Sequence, residues 1–104
     1  IKAAVPGATT LDIFNTMNKI LEEGGALGNN VGRLGHGLGL QLTEPPSHRL
    51  EEKTIIKENM VLTIEPGMEY EKGKMLVHEE NIVVHKDGAE LITTRAPREI
   101  PIIK

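Results

Sequence analysis

"GRLGHGLGLQLTEPPS", residues 32–47, decides how the rest of the chain is read. Glycines stand at 35, 37 and 39, with His36 between the first two. Alternate glycines cost backbone entropy and leave one face of a strand without side chains. A chain accepts that loss where a substrate or a second layer of backbone must come close. The stretch from about 34 to 43 is therefore predicted as a strand that serves a site. The whole stretch "EPPSHRLEEKTIIKEN" is predicted to be irregular, because paired prolines cannot donate to a regular ladder.

Upstream, "TTLDIFNTMNKILEEGGA" places Leu11, Phe14, Met17 and Leu21 on one helical face. Thr9 is the expected N-cap, with Asp12 as its capping-box partner, and Gly24 the expected C′ residue. "ALGNNVGR" reads as a loop. Downstream, "MVLTIEPGMEY" is predicted as a strand that stops at Pro66-Gly67, and "KMLVHEENIVVH" as a second long strand. "KDG" turns the chain, so "AELITT" becomes a hairpin partner, and "RAPREIPIIK" is an extended tail. One helix followed by antiparallel strands is an α+β pattern, one domain over residues 1–104.

Composition narrows the function. The chain has one Phe, one Tyr and no Trp, so its core must be aliphatic. A net charge of −3 without a basic cluster argues against nucleic acid and anionic membrane surfaces as partners. The absence of cysteine excludes disulfides and thiol catalysis. No apolar run approaches the roughly 20 residues of a membrane span, and a cytoplasmic setting is expected.

Three polar residues stand where apolar ones belong. His36 lies in the glycine-rich strand, Glu65 follows Ile64, and Glu79 sits between the apolar runs of "MLVHEENIVV". An unpaired carboxylate on a central strand is costly to bury. A shared divalent cation would remove that cost, and imidazole with carboxylates suits Zn, Mn, Co or Fe. The residues alone leave other readings open: a hydrogen-bonded core histidine, a strand-end glutamate, a solvated strand face. His48 is read as solvated in a polar loop, His78 as facing away from Glu79, and His85 as flanking the turn.

The blocks "GHGLGLQLTEPPS", "ENMVLTIEPGMEY" and "VHEENIVVHKDGAELIT" resemble the second half of the pita-bread metallopeptidases. That family includes proline dipeptidase, Xaa-Pro aminopeptidase, methionine aminopeptidase and creatinase. Asn59 stands where the family usually has glycine. The resemblance implies the C-terminal half of a pita-bread fold: one N-terminal helix on a curved, mainly antiparallel sheet. It implies two divalent metals held by two Asp, one His and two Glu, with a metal-bridged hydroxide that hydrolyses an amide. The carried-over ligands are His36, Glu65 and Glu79, with Glu80 the neighbouring alternative to Glu79. Glu65 is the expected general base and acid. Leu38, Leu40 and Ile64 are expected to shape a substrate pocket bordered by Glu44-Pro45-Pro46, with Thr43 beside it.

The family's Asp pair has no counterpart here, since Asp12 fits a helix cap and Asp87 a turn. The upstream half of the catalytic domain is thus an expected partner, and the 104-residue segment alone is expected to be inactive and to form a homo-oligomer. Thr43 stands where proline-specific members carry a second, substrate-contacting histidine. It predicts poor cleavage of ordinary Xaa-Pro dipeptides. The alternatives to a peptidase are a hydrolase of a small non-peptide amide, like ectoine hydrolase or creatinase, and a non-catalytic binding module.

Overall fold

The computed structural model describes residues 1–28 and 32–104. Helix α1 (Thr10–Glu23) begins as its sequence predicts. The Thr9 hydroxyl accepts from the Asp12 N–H at 3.2 Å, and the Asp12 carboxylate accepts from the Thr9 N–H at 2.8 Å. These contacts satisfy two of the amide groups that a helix start leaves without partners. Ile13, Phe14 and Met17 turn inward, while Leu11 and Leu21 flank the core. Gly24 is the C-cap in right-handed conformation, and Gly25 at φ +88° takes the left-handed position expected of Gly24. The loop expected over "ALGNNVGR" includes residues 29–31, which lie outside the described residues.

The strands are β1 (Gly35–Gly37), β2 (Glu44–Ser47), β3 (Val61–Ile64), β4 (Gly67–Glu71), β5 (Lys74–Val77), β6 (Glu80–His85) and β7 (Gly88–Leu91). One sheet has the order β2-β1-β3-β6-β7, and β4 pairs with β5 in a second. All these pairings are antiparallel. The helix packs Ile13, Phe14 and Met17 into one core with Leu34, Leu62, Ile64, Ile82 and Val84. The turn before β7 gives the expected hairpin, with His85 opposite Gly88.

Three strand expectations are corrected. The glycine-rich strand ends at Gly37, and residues 38–43 form an irregular loop. The proline pair lies inside β2, which among the described residues pairs with β1 on one side only. At a sheet edge a missing N–H breaks no ladder, so proline is tolerated there. The two long strands each bend into two: β3 and β4 on one arm, β5 and β6 on the other.

That bend leaves the register intact. Val61 pairs with Val83 and Ile64 with Glu80 in one sheet; Gly67 pairs with Val77 and Met68 with Leu76 in the other. The two residue numbers of every one of these pairs add to the same total. The His78 N–H donates to the Pro66 carbonyl at 3.1 Å, carrying the ladder across the bend. The four strands are one hairpin kinked at Glu65-Pro66 and His78-Glu79. Asn59, just before β3, has φ +69°, a left-handed conformation that asparagine tolerates better than most residues.

Candidate metal centre

His36 is held from both sides, opposite Ser47 of β2 and Thr63 of β3. Side chains directly opposite in an antiparallel pair share a face. Thr63 is in turn opposite Asn81, and its hydroxyl donates to the Asn81 side-chain oxygen at 2.7 Å. His36, Thr63 and Asn81 therefore form a row across three strands. Leu34 enters the core although His36, two residues on, faces the other way. A regular strand would put both on one face. The change is made at Gly35, whose φ of +134° is closed to most side chains.

The His36 ring is oriented by its own strand. Nδ1 lies 2.9 Å from the Gly37 carbonyl oxygen, a contact that requires an N–H at Nδ1. The neutral ring then carries its lone pair on Nε2, which faces Glu65 Oε2 at 3.5 Å. The His36 side chain is 7% exposed and that of Glu65 32%. A charge-assisted N–H to carboxylate bond has a length of about 2.7–2.9 Å. By contrast, two donors each about 2.1 Å from one tetrahedral metal lie about 3.4 Å apart. The separation matches two ligands of a shared cation better than it matches an ion pair, so this donor pair fits a divalent metal.

The continuous register places Glu79 directly across from Glu65. Its side chain is exposed. Among the described residues, no three His, Cys, Asp or Glu side chains gather in a metal-holding group. The structure thus brings His36 and Glu65 together and leaves Glu79 opposite them, facing solvent. Glu80 is different: it is 4% exposed on the core face. Burial acts to raise its pKa, but hydrogen bonds from Thr93, His78 and the Ala96 N–H outweigh it and hold the carboxyl below its usual range. With its oxygens engaged, Glu80 has little to offer a cation.

The expected pocket residues are elsewhere. Leu40 and Thr43 are exposed and Leu38 is half-buried, all on the loop after β1. The Glu44 carboxylate folds back over that loop, accepting from the Gln41 N–H at 3.3 Å and filling the space that a Gly39 side chain would need. The other two glycines serve close approach as well. A Cβ at Gly37 would overlap the Pro45 carbonyl, and one at Gly35 the Thr63 carbonyl. The space beside Glu65 is instead a cavity of about 180 Å³ lined by Arg33, Glu65, Gly67 and Val77. Arg33 carries a charge, but no motif flanks it, so only the fold reveals its place.

His48, expected in solvent, is wholly buried. Its backbone pairs with Gly35 and Leu34, and its ring lies over the bare face of Gly35. Among the described residues neither ring nitrogen has a hydrogen-bond partner. Burial pushes its pKa down from 6.5 to about 4, with nearby His36 adding to the effect. In the unfolded chain the ring protonates near its ordinary value of about 6.5. Between these values the unfolded state binds more protons, so stability present above pH 6.5 is lost as pH falls towards 4. The expected loss is on the order of 3 kcal/mol. Denaturant titrations over this range should show it in the wild-type protein and a much smaller slope in His48→Leu. Equal slopes would remove His48 as the cause.

The helix and bent antiparallel sheet are those of the C-terminal half of a pita-bread catalytic domain. Residues 1–87 match Metallopeptidase family M24, and the chain belongs to that family. It is 33% identical over 100 residues to an Xaa-Pro dipeptidase of Pyrococcus furiosus, covering 96% of this chain and 28% of that one. It is 36% identical over 103 residues to a putative dipeptidase of Bacillus subtilis, covering 99% of this chain and 28% of the relative. The solved prolidase from Pyrococcus furiosus superposes with a TM-score of 0.83 at 32% identity, over 93% of this chain and 29% of the prolidase. An X-Pro aminopeptidase from Thermotoga maritima gives 0.78 at 35% identity, over 98% and 29%. The chain thus spans under a third of the length of these relatives. Among the described residues, no helix is long and apolar enough to cross a membrane.

Proposed function

We propose that the whole protein is a divalent-metal-dependent peptidase of the Xaa-Pro dipeptidase type, with His36, Glu65 and Glu79 among the ligands of two metal ions. The observation that carries this reading is the 3.5 Å separation of His36 Nε2 and Glu65 Oε2, with the histidine's other nitrogen tied down. Mn, Co, Zn and Fe all suit this donor set. When bound, such ions polarise an amide carbonyl and acidify water. His36 keeps its donor nitrogen aimed at the site through the Gly37 contact. Glu65 takes a proton from the attacking water and returns it to the leaving nitrogen as the C–N bond breaks. The products are a carboxylic acid and an amine.

A cavity of about 180 Å³ is small beside the roughly 300–1,000 Å³ of pockets for drug-sized ligands. It suits one small residue of a dipeptide or a small amide, and Arg33 offers its wall a cation for a substrate oxygen. The Xaa-Pro names of the relatives favour a dipeptide. Thr43, exposed and without an imidazole, favours the second reading of a small non-peptide amide. The test is to assay the whole protein, after chelation and after return of Mn²⁺ or Co²⁺, on an Xaa-Pro dipeptide and on an N-acetylated diamino acid. Turnover should vanish with chelator and return with metal. Efficient dipeptide cleavage selects the first reading, and cleavage of the acetyl amide alone selects the second. Turnover indifferent to chelation, or none on either substrate, overturns metal-dependent hydrolysis and leaves a binding module.

A further inference from the structure

Glu80 breaks the apolar row that Ile82 and Val84 continue on the core face of β6. An apolar side chain there would avoid the penalty of burying a charge. What an apolar side chain lacks is the ability to grip donors, and Glu80 grips three. His78 Nε2 lies 3.0 Å from Oε1, the Thr93 hydroxyl donates to Oε2 at 2.8 Å, and the Ala96 N–H donates to Oε1 at 3.2 Å. The Thr93 hydroxyl also accepts from the Asn81 N–H at 3.2 Å. The Ile92 N–H donates to the Asn81 carbonyl at 3.0 Å. Residues 78, 80 and 81 are therefore all tied, and among the described residues Glu79 between them makes no hydrogen bond.

We propose that Glu80 is a positioning residue for Glu79, clamping the backbone on both of its sides so that the Glu79 carboxylate stays across from Glu65. The inference rests on the reading of Glu79 as a metal ligand. Through Thr93 and Ala96 the clamp draws in the segment after β7. That segment thus helps to set the geometry of a centre to which it contributes no ligand.

The test uses the whole protein and Co²⁺ as the probe. Affinity is read by competition with a chromophoric chelator, and ligand geometry by the visible absorption of bound Co²⁺. Glu79→Gln should weaken binding. If it does not, the reading of Glu79 as a ligand fails, whatever Glu80 does. Given that it does, Glu80→Gln should weaken Co²⁺ binding by about 10–100-fold, the usual size of an outer-shell effect, and shift the absorption band. In a Glu79→Gln background the same change should alter affinity by less than about twofold, because groups acting as a unit are not additive. Thr93→Val removes one of the three bonds, and should reproduce a smaller part of the effect if Glu80→Gln fails to fold. An unchanged affinity and band in Glu80→Gln, or in Thr93→Val where that stands in for it, would overturn the proposal. So would an equal loss in both backgrounds. A merely structural carboxylate would lower the melting temperature while leaving the Co²⁺ spectrum in place.

Discussion

Glu65→Gln in the whole protein should lower kcat for amide hydrolysis by about 10²–10⁴-fold, the usual range for loss of a general base. The substitution keeps the shape of the side chain and removes its charge, so the native fold should persist. Glu65 is suited to the role because it meets both halves of the site. One carboxylate oxygen is 3.5 Å from His36 Nε2, and the residue also lines the cavity beside Arg33. The glutamine amide can neither take up a proton from water nor balance a cation. Metal content should fall along with kcat, and the circular dichroism spectrum should not change. His85→Ala is the control. His85 pairs with Glu90 at 2.7 Å on the far hairpin, and both side chains are at least half exposed. It should retain wild-type turnover. A Glu65→Gln protein within threefold of wild type would remove this residue from the chemistry.

The second large effect is on stability. Gly35→Ala should destabilise the protein by about 3 kcal/mol or more, combining backbone strain with overpacking. Two penalties coincide there. The φ of +134° is unfavourable for any side chain, and the new Cβ would overlap the Thr63 carbonyl and come to 2.7 Å from His48. Backbone cannot step aside as the tip of a flexible side chain can. Gly73 separates the two penalties. It has φ +76° at the tip of β4–β5, and a Cβ added there would meet nothing within 4 Å among the described residues, so Gly73→Ala should lose only about 1 kcal/mol. Denaturant melts of the two variants side by side test the difference. Equal losses would mean that the contact with Thr63 and His48 relaxes freely.

The helix was legible because its signals are local. The capping box spans four residues, and the apolar face repeats within a few turns. The Asp-Gly turn before β7 is local too. The bend at Pro66 was not legible. In sequence a proline after a strand marks an end, and only the partner arm reveals that the ladder resumes with its register kept. The prolines of β2 misled for a related reason, since edge and centre are properties of the sheet. A polar residue on an apolar strand singles out His36 and Glu65 one at a time, and it is the likeness to the metallopeptidases that joins them in one site. The burial of His48 was hidden: its neighbours in sequence are polar, and what covers it is the bare backbone of Gly35. Arg33 was hidden because its cavity is walled by residues more than thirty positions downstream.

The kinked hairpin works as a ruler. Glu65 and Glu79 stand in register because equal lengths of chain run from each of them towards the tip as far as Glu69 and Met75. A single residue inserted between Glu65 and Glu69 on one arm would slide one acid past the other and reverse the faces beyond it. Residues added in matched numbers to both arms would lengthen β4 and β5 and leave the pair in place. The register already slips between Glu69 and Glu71, so an odd residue at the tip is absorbed before it reaches the acids. The outer hairpin can therefore lengthen, shorten or change its surface while the two carboxylates keep their spacing.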